Sequence, residues 1–138
     1  MRRITNRLQT GRKRRGLAAV EVAVCLPILL LLTFGVIESC NLIYFKQSLT
    51  VSAYEGVRAA ISSNASAATV TDRVQQVLTD RQVQGATIQT IPSDLTTAVY
   101  GDYVAVRVSA DYSQNALLPG WFFGNRQIEA DVRMMKEF

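Results

Sequence analysis

The sequence predicts an α+β fold: a long N-terminal helix, followed by a short helix that packs on a small antiparallel sheet of about three strands. Three observations lead to this prediction. An apolar stretch covers residues 17–37, a helical stripe of apolar and small residues follows it, and the periodicity changes to strand-like alternation after Gly85. The spacing of Thr69 and Asp72 predicts a capping box at the start of the short helix, and Gly85 predicts its end. The alternation predicts strands at 87–91, which Pro92 ends, at 104–112, of which Tyr112 is the last residue, and at 127–134. The chain therefore divides into a basic leader at residues 1–16, an apolar helix at 17–37 and a folded domain at 38–138.

The apolar helix is long enough to span a membrane. Residues 17–37 read LAAVEVAVCLPILLLLTFGVI, and Glu21 is their only charged residue. As a helix these residues extend roughly 31 Å, about the thickness of the hydrocarbon core. Because the basic residues precede the helix, the positive-inside rule keeps residues 1–16 in the cytoplasm and sends residues 38–138 across the membrane. We therefore expect a single-pass protein that continues outside as an amphipathic helix.

The charge is distributed unevenly. The chain has a net charge of +4, but residues 1–16 carry seven basic and no acidic residues, whereas the remainder carries eight basic and eleven acidic ones. The basic excess lies outside the folding part, which argues against nucleic-acid binding. Within the leader, the topology signal is the run Arg12, Lys13, Arg14 and Arg15.

The composition also argues against catalysis. The chain contains no histidine, the commonest general base and a common metal ligand. No nucleophile and base are recognisable as a pair in the sequence. We expect no enzymatic activity, no cofactor, no metal site and no small-molecule substrate.

The junction between leader and helix carries a specific pattern. Gly16 ends the basic run, Leu17 follows, and Glu21 is the fifth residue after the glycine. This pattern resembles the type IV prepilin processing site, at which a membrane peptidase cuts after the glycine and leaves glutamate as the fifth residue of the mature chain. Cleavage here would fall between Gly16 and Leu17.

A longer stretch is similar to a known family. The segments RRGLAAVEVAVCLPILLLLTFGVIE at 14–38 and SAYEGVRAA at 52–60 resemble TadE-like proteins, small pseudopilins of bacterial tight-adherence (Flp-type, IVb) pilus systems. The later segments GDYVAVRVSADY, LLPGWFFG and RQIEADVRM also look similar, though less specifically. Major pilins of these systems have tyrosine after the glutamate, whereas Val22 stands here. The resemblance therefore implies a minor pseudopilin rather than the main filament subunit.

This resemblance implies a location and a set of partners. We expect a bacterial inner-membrane protein of pilus assembly and cell adhesion, with prepilin peptidase, other pilins or pseudopilins and the assembly platform as partners. The alternative is an uncleaved, membrane-anchored binding module, in which the leader only sets topology. Ordinary secretion is disfavoured because the small-residue site Val51-Ser52-Ala53 lies well beyond the apolar run.

Glu21 has a physical reason to be functional. A carboxylate one turn inside the hydrocarbon boundary costs several kcal/mol unless it is paired or reaches water. Cleavage would create a positive amine at Leu17, and a processed neighbour could present it to Glu21 and so set the register of two subunits. The alternative is that Glu21 extends towards the cytoplasmic headgroups.

The outer domain contains two further candidate surfaces. Gly56 lies on the stripe of small residues and allows close approach, either by the chain's own domain or by a neighbouring subunit. The loop LLPGWFFG contains Trp121, Phe122 and Phe123 and is the most apolar loop of the chain. It forms either a partner or membrane interface or a plug at the end of the core.

Overall fold

The computed structural model describes residues 10–62, 65–118 and 123–137, with side chains of the first helix from Gly16 onward. The predicted α+β class is confirmed. The elements are α1 (Thr10–Ala60), α2 (Ala67–Asp80), β1 (Thr87–Ile91), β2 (Tyr103–Asp111) and β3 (Gln127–Met135). The chain divides into two compact units, Met1–Ile37 and Glu38–Phe138.

The first unit contains the N-terminal part of α1. From Gly16 to Thr33 every residue is exposed, although most of the side chains are large and apolar. In the described part of the chain, one helix is long and apolar enough to cross a membrane, with a mean hydropathy of 2.5 in its most apolar window, none of which is buried. The helix continues through Pro27. An apolar helix that the chain itself leaves uncovered is suited to lipid or to a neighbouring helix.

The second unit begins at Glu38 and contains the core. The rest of α1 contributes one buried stripe, formed by Phe45, Leu49, Ala53, Val57 and Ala60. These positions recur every three or four residues, so they lie on one face of the helix. The stripe packs with α2 and with one face of the sheet in a single apolar cluster.

Helix α2 begins and ends at positions that differ from those the sequence predicts. A capping box at Thr69 and Asp72 was the expected start, but Ser66 is the N-cap and its Oγ accepts a hydrogen bond from the Thr69 backbone at 3.1 Å. Gly85 was the expected end, but the helix already ends at Asp80. The left-handed position after the helix belongs to Gln82, with φ at 58°.

The sheet has the order β1-β2-β3, and both pairs are antiparallel. Strand β1 covers the residues that the alternation predicts, 87–91. In β2, Val104, Val106, Val108 and Ala110 are buried beneath the helices. Tyr112, predicted as the last residue of this strand, instead begins a short 3-10 turn and remains fully buried.

Candidate functional site

The processing junction lies within α1. Gly16 is exposed, and a Cβ atom added to it would meet no atom within 4 Å outside its own helix. Leu17 and Glu21 are exposed as well. For Arg12, Lys13, Arg14 and Arg15 the structure describes only a helical backbone, so their contacts lie outside the described part. Nothing in the described chain covers the bond between Gly16 and Leu17.

The helix places Leu17 and Glu21 on one face. They are four residues apart, and residues with this spacing lie above one another, about 6 Å apart along the axis. If the Gly16–Leu17 bond were cut, the new amine and the carboxylate would line the same side of the helix. A helix that carries an amine and a carboxylate at the same end can pair with a second such helix in a defined register.

A second carboxylate, Glu38, lies at the start of the second unit. The residue is only 3% exposed, and its Oε1 accepts a hydrogen bond from the backbone N–H of Phe123 at 3.0 Å. The Glu38 carbonyl accepts a hydrogen bond from the Tyr112 hydroxyl at 3.2 Å. That hydroxyl in turn accepts one from Asn41 Nδ2 at 3.1 Å. The hydrogen bonds of Glu38 with Tyr112 and Phe123 therefore hold both ends of the connection between β2 and β3 against α1.

Glu38 has one feature in the sequence that indicates a special role. It is the first charged residue after an apolar run of sixteen residues that follows Glu21. A carboxylate at the end of a span is usually a solvated boundary residue, and that assumption hides its structural role. Tyr112 is the second indication of this contact, because a buried tyrosine needs a hydrogen-bond partner for its hydroxyl.

Gly56 belongs to the chain's own core. It is buried, and an added Cβ would collide with Val74 Cγ2 on α2 and come within 3.1 Å of Val106 Cγ1 on β2. The close approach predicted for the stripe of small residues is therefore made by α2 and β2 of the same chain. Of the two alternatives for Gly56, the structure shows the contact with the chain's own domain, and a buried glycine offers no surface to a partner.

The apolar loop is described only at its two ends. Trp121 and Phe122 lie outside the described residues. Phe123 is partly buried and packs against the core cluster, and the guanidinium of Arg126 lies 5.4 Å from the centre of its ring. Leu117, at the other end, is 78% exposed.

The sheet face opposite the helices carries an ion-pair network. Arg107 Nη2 donates to Asp131 Oδ2 at 2.9 Å, and Arg107 Nε lies 2.9 Å from Glu129 Oε1. Arg133 Nε is 3.3 Å from Asp131 Oδ1. The hydrogen bond from Arg107 is the main cause that lowers the pKa of Asp131, and the same contact raises the pKa of Arg107. Among the described residues no group of three or more metal-binding side chains comes together.

The exposed apolar helix and the separate α+β unit define a class: they indicate a single-pass membrane protein with one folded domain. The sequence model of the family described as TadE-like protein matches residues 16–58. The match confirms the resemblance for this segment and is consistent with a protein associated with Tad pili. It does not extend to residues 59–138, where the similarity stays a prediction. No curated protein and no solved structure gave a significant match to the chain.

Proposed function

We propose that this protein is a minor pseudopilin-like subunit of type IVb (tight adherence) pilus biogenesis. A prepilin peptidase removes residues 1–16 at the cytoplasmic face of the bacterial inner membrane. The helix then packs among other pilins or pseudopilins and the assembly platform, while the outer unit makes protein contacts. The observation that carries the proposal is the pair Gly16 and Glu21 at the start of an uncovered apolar helix, within the segment that matches the TadE-like family.

Processing is tested with Gly16→Val in cells that contain a prepilin peptidase. Because Gly16 has open space around it, the substitution should not disturb the fold, and any effect reports on the cleavage itself. The expected result is an intact mass that lacks residues 1–16 for the wild type and a full-length mass for the variant. The matched control is Gly35→Val, since Gly35 lies in the same helix and a Cβ atom added there also meets no atom within 4 Å. Its chain should be trimmed normally.

A full-length wild-type chain recovered from such cells would refute the processing step. It would favour the uncleaved, membrane-anchored binding module. A fragment that begins after Ala53 would support ordinary secretion instead.

Subunit pairing is tested separately with Glu21→Ala. The variant should still insert and be trimmed, because neither step needs the carboxylate, but it should no longer co-purify with its pilin partners. Val24→Ala is the control, since Val24 is an exposed residue one turn further along the same helix. If Glu21→Ala assembles as well as Val24→Ala, the carboxylate does not set the register and simply reaches the headgroups.

A further inference from the structure

The second unit contains a cavity of about 200 Å³ that is built from three segments. Helix α1 contributes residues at the spacing of one helix face, and the turn after α2 and the connection after β2 contribute the others. The lining residues are Asn41, Tyr44, Phe45, Ser48, Arg81, Gln82, Val83, Asn115 and Leu117. All of them follow Ile37, so the cavity lies within one compact unit.

The cavity is held in shape by contacts that do not involve a ligand. Phe45 is buried, and its ring centre lies 5.7 Å from that of Tyr112 in the core. Asn115 joins two of the walls, because its Oδ1 accepts a hydrogen bond from the Gln84 N–H at 2.8 Å, and its Nδ2 donates to the carbonyls of Gln84 and Asp111. A site that is already formed in the free protein loses little conformational entropy when a ligand enters.

Arg81 is the cation of this cavity. Three basic residues whose side chains the structure describes are partly buried, namely Arg81, Arg107 and Lys136. Arg107 pairs with two carboxylates, and Lys136 Nζ donates to the Ala98 carbonyl at 3.0 Å. The Arg81 side chain makes no hydrogen bond or ion pair with another described residue. Because a partly buried guanidinium has lost hydration that an anion can replace, Arg81 is suited to an acidic ligand.

The other lining residues define the rest of that ligand. None of the described residues around the cavity is acidic, so no carboxylate there competes for Arg81. Phe45, Val83 and Leu117 provide apolar surface. A cavity of about 150 Å³ can hold a benzene molecule, so the present one has room for a ring or a short aliphatic chain beside an acid group.

We infer that this cavity binds a small organic acid, whose carboxylate is held by Arg81. Arginine binds a carboxylate through two parallel N–H donors, which fixes the orientation of the acid group. The attached ring or short aliphatic chain contacts Phe45, Val83 and Leu117. This inference goes beyond the proposed function, because it needs neither the membrane span nor the cleavage after Gly16.

The experiment follows the methyl NMR signals of Val83 and Leu117 while phenylacetate is added to the full-length protein in lipid nanodiscs. Val99, an exposed valine that does not line the cavity, provides the control signal. Phenylacetamide is the matched ligand, because it has the same ring and nearly the same shape but no charge. Arg81→Gln removes the cation, and Arg58→Gln is the matched variant, since Arg58 is exposed and does not line the cavity.

We expect phenylacetate to shift both cavity signals with a dissociation constant of about 1 mM and to leave the Val99 signal in place. Replacing the acid with the amide should weaken binding about tenfold or more, and so should Arg81→Gln, because each change removes a charge-assisted hydrogen bond. Arg58→Gln should bind phenylacetate as tightly as the wild type.

Three results would overturn the inference. Cavity signals that do not move at any soluble concentration of phenylacetate would exclude the site. Equal affinity for the acid and the amide would exclude the role of the charge, and this comparison uses the wild-type chain, so it holds even if Arg81→Gln folds less well. Unchanged affinity of Arg81→Gln would assign Arg81 to the end of α2 alone, where a cation interacts favourably with the helix dipole.

Discussion

The contact of Gly56 with α2 and β2 yields the sharpest prediction on stability. Gly56→Ala adds a methyl group where Val74 Cγ2 already stands and Val106 Cγ1 lies 3.1 Å away. Both valines are fully buried, and a β-branched side chain has little rotamer freedom to withdraw. Overpacking of a core costs about 1–3 kcal/mol, and the collision with one rigid side chain beside a tight contact with a second places Gly56→Ala in the upper part of that range, at about 2–3 kcal/mol. Replacing a helical glycine with alanine returns about 1 kcal/mol of this cost. The net expectation is a loss of about 1–2 kcal/mol.

A loss of this size is measurable in the full-length protein in detergent. For a unit of this size each kcal/mol shifts Tm by about 4–8 °C, so Gly56→Ala should lower Tm by roughly 5–15 °C. Near-ultraviolet circular dichroism measures this unfolding transition. Gly35→Ala, which adds the same methyl group to the same helix where a Cβ atom meets nothing within 4 Å, should not lower Tm.

The double variant Gly56→Ala/Val74→Ala separates the collision from other effects. Because Val74→Ala removes the methyl groups that meet the new side chain, the double variant should be no less stable than Val74→Ala alone. An unchanged or raised Tm for Gly56→Ala would refute the reasoning, since it would mean that α1 and α2 are not in close contact there.

Two further predictions concern polar contacts of the second unit. Tyr112→Phe removes a buried hydroxyl that donates to the Glu38 carbonyl, and it should lower the free energy of unfolding by about 1–2 kcal/mol in a urea titration, whereas Tyr100→Phe, at an exposed site, should leave it unchanged. Equal effects of the two substitutions would contradict this role of the hydroxyl. Asp131→Asn should change how the free energy of unfolding depends on pH in the acid range. The folded-state pKa of Asp131 is lowered by Arg107, so the ion pair stabilises the fold above the unfolded pKa of about 3.9, and this contribution is lost as the pH falls through the folded pKa. The stability difference between the wild type and Asp131→Asn should therefore shrink below about pH 4, and a difference that is constant with pH would exclude the ion pair as its source.

The features that the sequence predicted well are those with a strong periodic signal. Residues 87–91 alternate and end at Pro92, and they form β1 with the same bounds. The α+β class follows from the apolar stretch, the helical stripe and the strand-like alternation, in that order along the chain. The spacing of apolar residues shows which side chains of a helix or strand face the core. This spacing can be read from neighbouring residues alone.

The contact of Glu38 with Phe123 is not predicted by the sequence, because it joins residues that are distant along the chain. Glu38 and Phe123 are 85 residues apart, and nothing near Glu38 indicates that a backbone N–H will meet its side chain. The end of α2 was misplaced for a different reason. A left-handed residue after a helix is usually glycine, but here Gln82 takes that conformation while Val83 N–H bonds to the Leu78 carbonyl at 2.9 Å. The hydrogen bonds of the helix end outweigh the steric preference for glycine.

The sheet order has a consequence for how the protein behaves when copies crowd together. Within the described chain β3 pairs only with β2, which leaves one row of backbone donors and acceptors along its nine residues open to strand addition by another molecule. Charged side chains at Glu129, Asp131 and Arg133 occur at every second position of that strand. Charges along an exposed edge discourage uncontrolled β-aggregation. The charges thus protect the β3 edge of the sheet against pairing with a strand of a second molecule.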